Sequence, residues 1–252
     1  MSGTRSHSPK APATEALIVA HGQPSDPDPA EAEIAALARR VAALLSGTHV
    51  RGVTLAAPGS LDRALAACDA PPVIYPLFMS DGWFTAQALP GRLNGSAGPV
   101  LRPLGLDPAL AGLAADIVAR AATARGWTSE TVTLVLAAHG SGRSPNAARA
   151  TRLFADRLSG RLPLRSIRIG YVEEPPPIAE AAQGAGEASI CLPFFAAGGG
   201  HVQDDVPEEL AKAGFAGVVL DAIGLAPDVP ALIAAAISGA AAPVRVRSAG
   251  LA

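Results

Sequence analysis

LVLAAHG, residues 134–140, and LIVAHG, residues 17–22, decide how this chain is read. In each, a short apolar run ends in His-Gly. Such a run bounded by glycine reads as a buried strand, and the histidine after it stands at the strand's carboxyl end. His21 lies opposite His139 at an offset of 118 residues, and PLFMSDGWFTAQALP (76–90) aligns with PFFAAGGGHVQDDVP (193–207) at an offset of 117. One spacing that serves distant segments is the mark of an internal repeat.

Outward from these anchors, apolar runs alternate with Ala/Leu segments of helical period. In the first half the strands are ALIVA (16–20), GVTLAA (52–57), PVIYPLF (72–78) and GPVLRPL (98–104), with helices over 29–45, 60–68, 84–94 and 107–124. The second half repeats the order: strands 133–138, 166–172, 188–195 and GVVLDAI (217–223), helices 145–159, 177–184, 203–213 and 227–238. Strand and helix in alternation define an α/β protein with parallel sheets. The expectation is two similar doubly wound parallel-sheet lobes related by internal duplication, 15–126 and 131–240, joined where GWTSE (126–130) breaks the helical pattern. Residues 1–14, polar and without hydrophobic period, read as a disordered leader, and 241–252 as a tail.

Composition excludes several classes. Hydrophobic residues are 49% of the 252 and charged residues 17%, so the chain can bury a core. Twenty basic residues against 22 acidic, with no Lys/Arg run, leave nothing to neutralise a phosphate backbone, so nucleic acid is not an expected partner. No apolar stretch reaches the roughly 18 to 20 residues of a membrane span, and Met1 to Thr14 lacks a secretory core. The expected location is the cytoplasm. Cys68 and Cys191 lack CxxC partners and read as buried thiols. Neither GxxxxGK[ST] nor GxGxxG occurs, so no nucleotide is expected.

In parallel α/β sheets, ligands bind beyond the carboxyl ends of the strands. That rule selects His21, His139 and His201, the last in the glycine loop after the third strand of the second lobe. Glu173 and Glu174 end the second strand there, before Pro175 to Pro177, and either can serve. Two imidazoles and a carboxylate suit a borderline divalent ion such as Fe, Co, Ni or Zn. Gly198, Gly199 and Gly200 are expected to take unusual backbone angles and leave room for a bulky ligand. Ser144 and Pro145 start a helix whose free N–H groups, with Arg143, can hold carboxylates. The first lobe carries Phe84, preceded by Trp83, in place of His201, and Ala56 and Ala57 in place of the glutamates. His21 is thus a remnant or a secondary contact. His7 belongs to the leader and His49 to an exposed turn.

Strand-AHGS at 137–141, the strand-end Glu-Pro at 173–175 and LPFFAAGGGHVQDDVP at 192–207 together resemble the sirohydrochlorin chelatases, class II tetrapyrrole chelatases that use no ATP, in their long two-lobe form. The resemblance implies insertion of Fe2+ or Co2+ into sirohydrochlorin, for siroheme or cobalamin synthesis, by a monomer or homodimer. It maps the family's two histidines onto His139 and His201 and the acidic partner onto Glu173, all in the second lobe, whereas some long members keep theirs in the first. Metallation removes two pyrrole protons and exchanges the ion's waters for ring nitrogens, which calls for a base, a metal handle and a wide cleft. Donors for the macrocycle's carboxylates would be Ser141, Arg143 and the backbone of Gly198 to Gly200. The alternative is a non-catalytic metal or tetrapyrrole carrier of the same fold.

Overall fold

A computed structural model describes residues 14–241. Both strand blocks form parallel sheets. In the first, β1 (Thr14–Ala20) lies between β2 (Thr48–Thr54) and β3 (Val73–Pro76). In the second, β4 (Thr133–Ala138) lies between β5 (Ser166–Tyr171) and β6 (Ser189–Phe194), with the two-residue β7 (Val218–Val219) beyond β6. The helices are α1 (Pro27–Ala42), α2 (Ser60–Ala66), α3 (Leu89–Leu93), α4 (Leu110–Ala124), α5 (Asn146–Ser159), α6 (Ile178–Ala182), α7 (Val206–Lys212) and α8 (Val229–Ala241).

Successive side chains on a strand point to opposite faces. Ala16 and Ile18 enter a central cluster, while Leu17 and Val19 enter a second one behind the sheet; Leu134 and Leu136 part from Val135 and Ala137 in the same way. All eight are fully buried, which is why these strands read as unbroken apolar runs, and each larger side chain contributes about 1.5–3 kcal/mol. Both sheets are covered on both faces, as the doubly wound reading expects.

The halves share their last helices. α4, which ends the first half, lies against β6 and α5, and α8 lies against β3 and α1. The central cluster therefore holds residues of both sheets, with Val118 of α4 and Ile233 and Ile237 of α8 fully buried in it. Arg40 and Arg157, at equivalent positions of α1 and α5, each donate across: Arg40 Nη2 to Pro227 O at 3.1 Å, Arg157 Nη1 to Leu106 O at 3.0 Å.

Three expectations change. The segment 98–104 is no strand: it makes only the bridge Ile74↔Val100, since Pro99 and Pro103 cannot donate to a ladder. Its counterpart 217–223 shrinks to β7. The helices expected over 84–94 and 203–213 each open with a π-helical turn, Phe84–Ala88 and His201–Asp205, just ahead of α3 and α7. Pro90 and Pro207 stand in the first turns of those helices, and a proline cannot bond the carbonyl four residues back, so the preceding turn widens. His7 and residues 242–252 lie outside the described residues, whereas Thr14, assigned to the leader, opens β1, and Ala241, assigned to the tail, ends α8. Among the described residues no helix is long and apolar enough to cross a membrane.

His49 lies in β2 rather than in a turn, its ring 59% exposed and its Nδ1 3.0 Å from Oε1 of Glu15. Arg51 Nη1 donates to the other carboxylate oxygen. The Glu15 side chain is 1% exposed. Burial pushes its carboxyl up, but the hydrogen bonds and charges of His49 and Arg51 outweigh this and hold it below the usual carboxylate range. Cys191 is buried as expected, but Cys68, beside Arg51, is only partly so. Glu15→Gln is expected to cost about 2 kcal/mol, below the 3–5 of a fully buried pair because Arg51 and His49 reach solvent. With a lowered folded pKa, the stabilisation is present above the unfolded carboxylate range and vanishes as pH falls through the folded value. Thermal melts should therefore separate the two proteins at pH 7 and bring them together in acid.

Candidate metal centre

Each ligand position follows from how a strand ends. After β4 the chain turns at Gly140, φ +74°, where a Cβ would lie 2.8 Å from Glu174 Cγ and 2.9 Å from Tyr171 Cβ. Only glycine fits, and the turn lifts His139 clear of the sheet. The Glu173 N–H donates to the His139 carbonyl at 2.9 Å, which sets Glu173 level with that histidine on the neighbouring strand. From β6 the glycine loop leads into the π-helical turn that His201 opens.

The three side chains meet. One donor atom from each of His139, Glu173 and His201 lies within 4.8 Å of the others. A metal with bonds near 2.0–2.2 Å needs donors about 3.4 Å apart, so a small inward movement would complete the grip. The imidazoles stand nearly perpendicular, centroids 4.5 Å apart at 83°. His139 Nδ1 lies 3.0 Å from the Gly140 carbonyl and His201 Nδ1 2.6 Å from Asp205 Oδ2. Both partners accept, so each Nδ1 carries the hydrogen and each Nε2 presents its lone pair. His139 and Glu173 are exposed and His201 partly so, which makes the site open.

The choice between the glutamates is geometric. Glu174 Oε1 accepts the Ser141 N–H at 2.9 Å and pins the turn, leaving Glu173 with the imidazoles. Ser141 Oγ accepts the Arg143 N–H at 3.3 Å, and the Arg143 side chain is exposed. Two expectations are corrected. None of Gly198, Gly199 and Gly200 has a positive φ, and Gly200 is right-handed helical, φ −50°; a Cβ on Gly199 would meet nothing within 4 Å, so the loop supplies space, not unusual angles. His201 belongs to the π-helical turn rather than to the loop, and this brings it to Asp205. At the start of α5 the Asn146 N–H donates to Ser144 Oγ at 3.3 Å, while the side chains reach the first lobe: Asn146 Nδ2 donates to Asp81 O at 3.0 Å and Arg149 pairs with Asp81 at 3.2 Å. Asp81 follows β3, so these contacts join the loop after a first-lobe strand to the helix that follows His139.

Asp205, Asp81, Asn146 and Arg149 were not singled out by sequence. Only Asp205 gives a signal, as a carboxylate four residues after a ligand histidine. Asp205→Ala is expected to weaken Co2+ binding tenfold or more, with Asp205→Asn in between because its carbonyl oxygen still accepts from Nδ1. Titration of Co2+ absorbance checks this.

The first lobe repeats the geometry without the donors. His21 Nδ1 lies 2.7 Å from Gly22 O, but its neighbour is Phe84, centroids 4.2 Å apart at 75°. Ala56 donates to the His21 carbonyl at 2.8 Å, as Glu173 does to that of His139, and Ala88 stands where Asp205 does. Trp83 and Phe84 are 61% and 37% exposed, so they are not core residues.

Residues 133–240, the lobe with the full donor set, match the family CbiX. A solved structure described as CbiX, the terminal enzyme for biosynthesis of siroheme in denitrifying bacteria, is 46% identical, with TM-score 0.83, covering 91% of this chain and 100% of that one. SirB from Bacillus subtilis with Fe3+ is 18% identical, TM-score 0.73, covering 91% and 96%. SirB from Bacillus subtilis subspecies spizizenii in complex with cobalt is 16% identical, TM-score 0.65, covering 91% and 95%. The SirB likenesses are likenesses of fold. A comparison with curated protein sequences finds no match. Paired parallel sheets and these neighbours define a two-lobe protein of chelatase fold. The chain belongs to the CbiX family.

Proposed function

We propose that this protein inserts Fe2+ or Co2+ into sirohydrochlorin without nucleotide hydrolysis. The observation that carries the reading is the open set of His139, Glu173 and His201 at one strand edge. The metal is a substrate, so it must be held and then given up, and three donors facing a cleft suit that better than a closed four-ligand cage. His139 and His201 hold the ion through Nε2, their rings fixed by Gly140 O and Asp205. Glu173 is not a partner of either Nδ1, so it is free to bind the ion and to accept a pyrrole proton as ring nitrogens replace it. Arg143, Ser141 and the Gly198–Gly200 loop border the place where the macrocycle lies. The 46% identical relative described as a siroheme enzyme favours Fe2+ and siroheme. We place the reaction in the cytoplasm, in a monomer or homodimer.

The test is anaerobic mixing with sirohydrochlorin and Fe2+ or Co2+, following the absorbance change of metallation. The protein should accelerate it; a rate equal to the protein-free control overturns the reading and leaves a carrier.

A further inference from the structure

The two lobes differ in charge more than in shape. Ala56 and Ala57 occupy the places of Glu173 and Glu174, and the 117-residue offset puts Gln87, Ala88 and Arg92 where the second lobe has Asp204, Asp205 and Glu209. Around the strand edge that gathers cation donors, five carboxylates are thus replaced by four neutral side chains and one guanidinium. Asp62 and Asp81 stand where the second lobe has Ala179 and Gly198, so what the first lobe gains at this edge is one guanidinium, Arg92, in place of the Glu209 carboxylate.

A cavity of about 340 Å3 lies at this edge, lined by the loop from Thr54 to Gly59 with Leu61, Asp62 and Arg92. Arg92 Nη1 donates to Leu55 O at 2.6 Å, which anchors the guanidinium at the cavity wall. Among the described residues Arg92 makes no ion pair, with Asp62 or any other carboxylate. The fork therefore keeps N–H groups for a planar acceptor, and a carboxylate matches its geometry. Ala56, which lines this cavity, donates its N–H to the His21 carbonyl as Glu173 does to that of His139, so the cavity lies at the strand edge that corresponds to the metal site.

We infer that Arg92 forms a carboxylate-binding subsite in the first lobe, which receives a peripheral carboxylate of the tetrapyrrole while the second lobe handles the metal. This rests on the chelatase reading. The second lobe's acids suit the cation; Arg92 in the first lobe adds a fixed guanidinium for one carboxylate and so orients the ring.

Metal-free titration of sirohydrochlorin into the full-length protein, read by its fluorescence, separates ring binding from insertion. Arg92→Gln keeps a donor for Leu55 O and removes the charge; it should weaken binding about tenfold, as expected for one charge-assisted hydrogen bond, with partial recovery in Arg92→Lys. Ala57→Glu returns the second lobe's acid to the cavity with Arg92 intact and should weaken binding similarly, which keeps the test open if an Arg92 variant fails to fold. Co2+ binding should match the unsubstituted protein throughout, and in steady-state metallation the loss should fall in KM. Unchanged sirohydrochlorin affinity in Arg92→Gln and Ala57→Glu overturns the subsite alone. Failure of the unsubstituted protein to metallate sirohydrochlorin overturns the chelatase reading instead.

Discussion

With alanine at His139 or His201, metal insertion into sirohydrochlorin should slow by about a hundredfold or more, the usual range for losing a positioned acid–base or metal-holding group. Each change removes one Nε2 from a set of three donors and leaves the ion with two. The rings act together, so the double variant should be little worse than either single one. Circular dichroism should show both variants folded, since among the described residues the His139 ring bonds only the neighbouring Gly140 carbonyl and the His201 ring only Asp205 on its own turn. His21→Ala is the internal control. That ring faces Phe84 in a lobe without the donor set, and its loss should change the rate less than about threefold, where a lost positioned group costs far more. Stopped-flow absorbance under anaerobic conditions measures all four.

The second large effect concerns α8. Ile233 and Ile237 are fully buried in the central cluster, on a helix that lies against β3 and α1 of the other half. Truncating either to alanine should cost about 2–5 kcal/mol through lost transfer energy and the cavity left behind. For a chain of this length that lowers Tm by roughly 5–15 °C. Together they remove an amount comparable to the whole stability of an ordinary domain, about 5–15 kcal/mol, and the double variant should not fold at 37 °C. Calorimetry should show the single variants losing both lobes in one transition, since one cluster spans both sheets; two separate transitions would mean that the halves melt alone.

The strand blocks were legible because β1, β3, β4 and β6 are covered on both faces and so read as apolar runs that end in His-Gly or a glycine loop. The ligand trio was legible for a related reason: parallel strands bring their carboxyl ends to one edge, so residues 62 apart, His139 and His201, become neighbours. Period and composition do not reveal a helix's pitch, so the π-helical turn joining His201 to Asp205 is not legible in them, although Pro207 forbids the ordinary bond. Glu173 and Glu174 are adjacent, and strand alternation alone does not say which one the Ser141 N–H captures. An amphipathic helix also carries no label for the sheet it covers, which is why the crossing of α4 and α8 could not be read from residues alone.

That crossing governs the order of events during synthesis. β3 emerges about 150 residues before α8, the helix that lies against it, so until then the first sheet has only α1 on the face that α8 later helps to cover. Contacts so distant along the chain slow folding and prolong the interval in which such a face invites aggregation. The ribosome-bound first half is therefore the stage at which apolar surface is most open to wrong contacts.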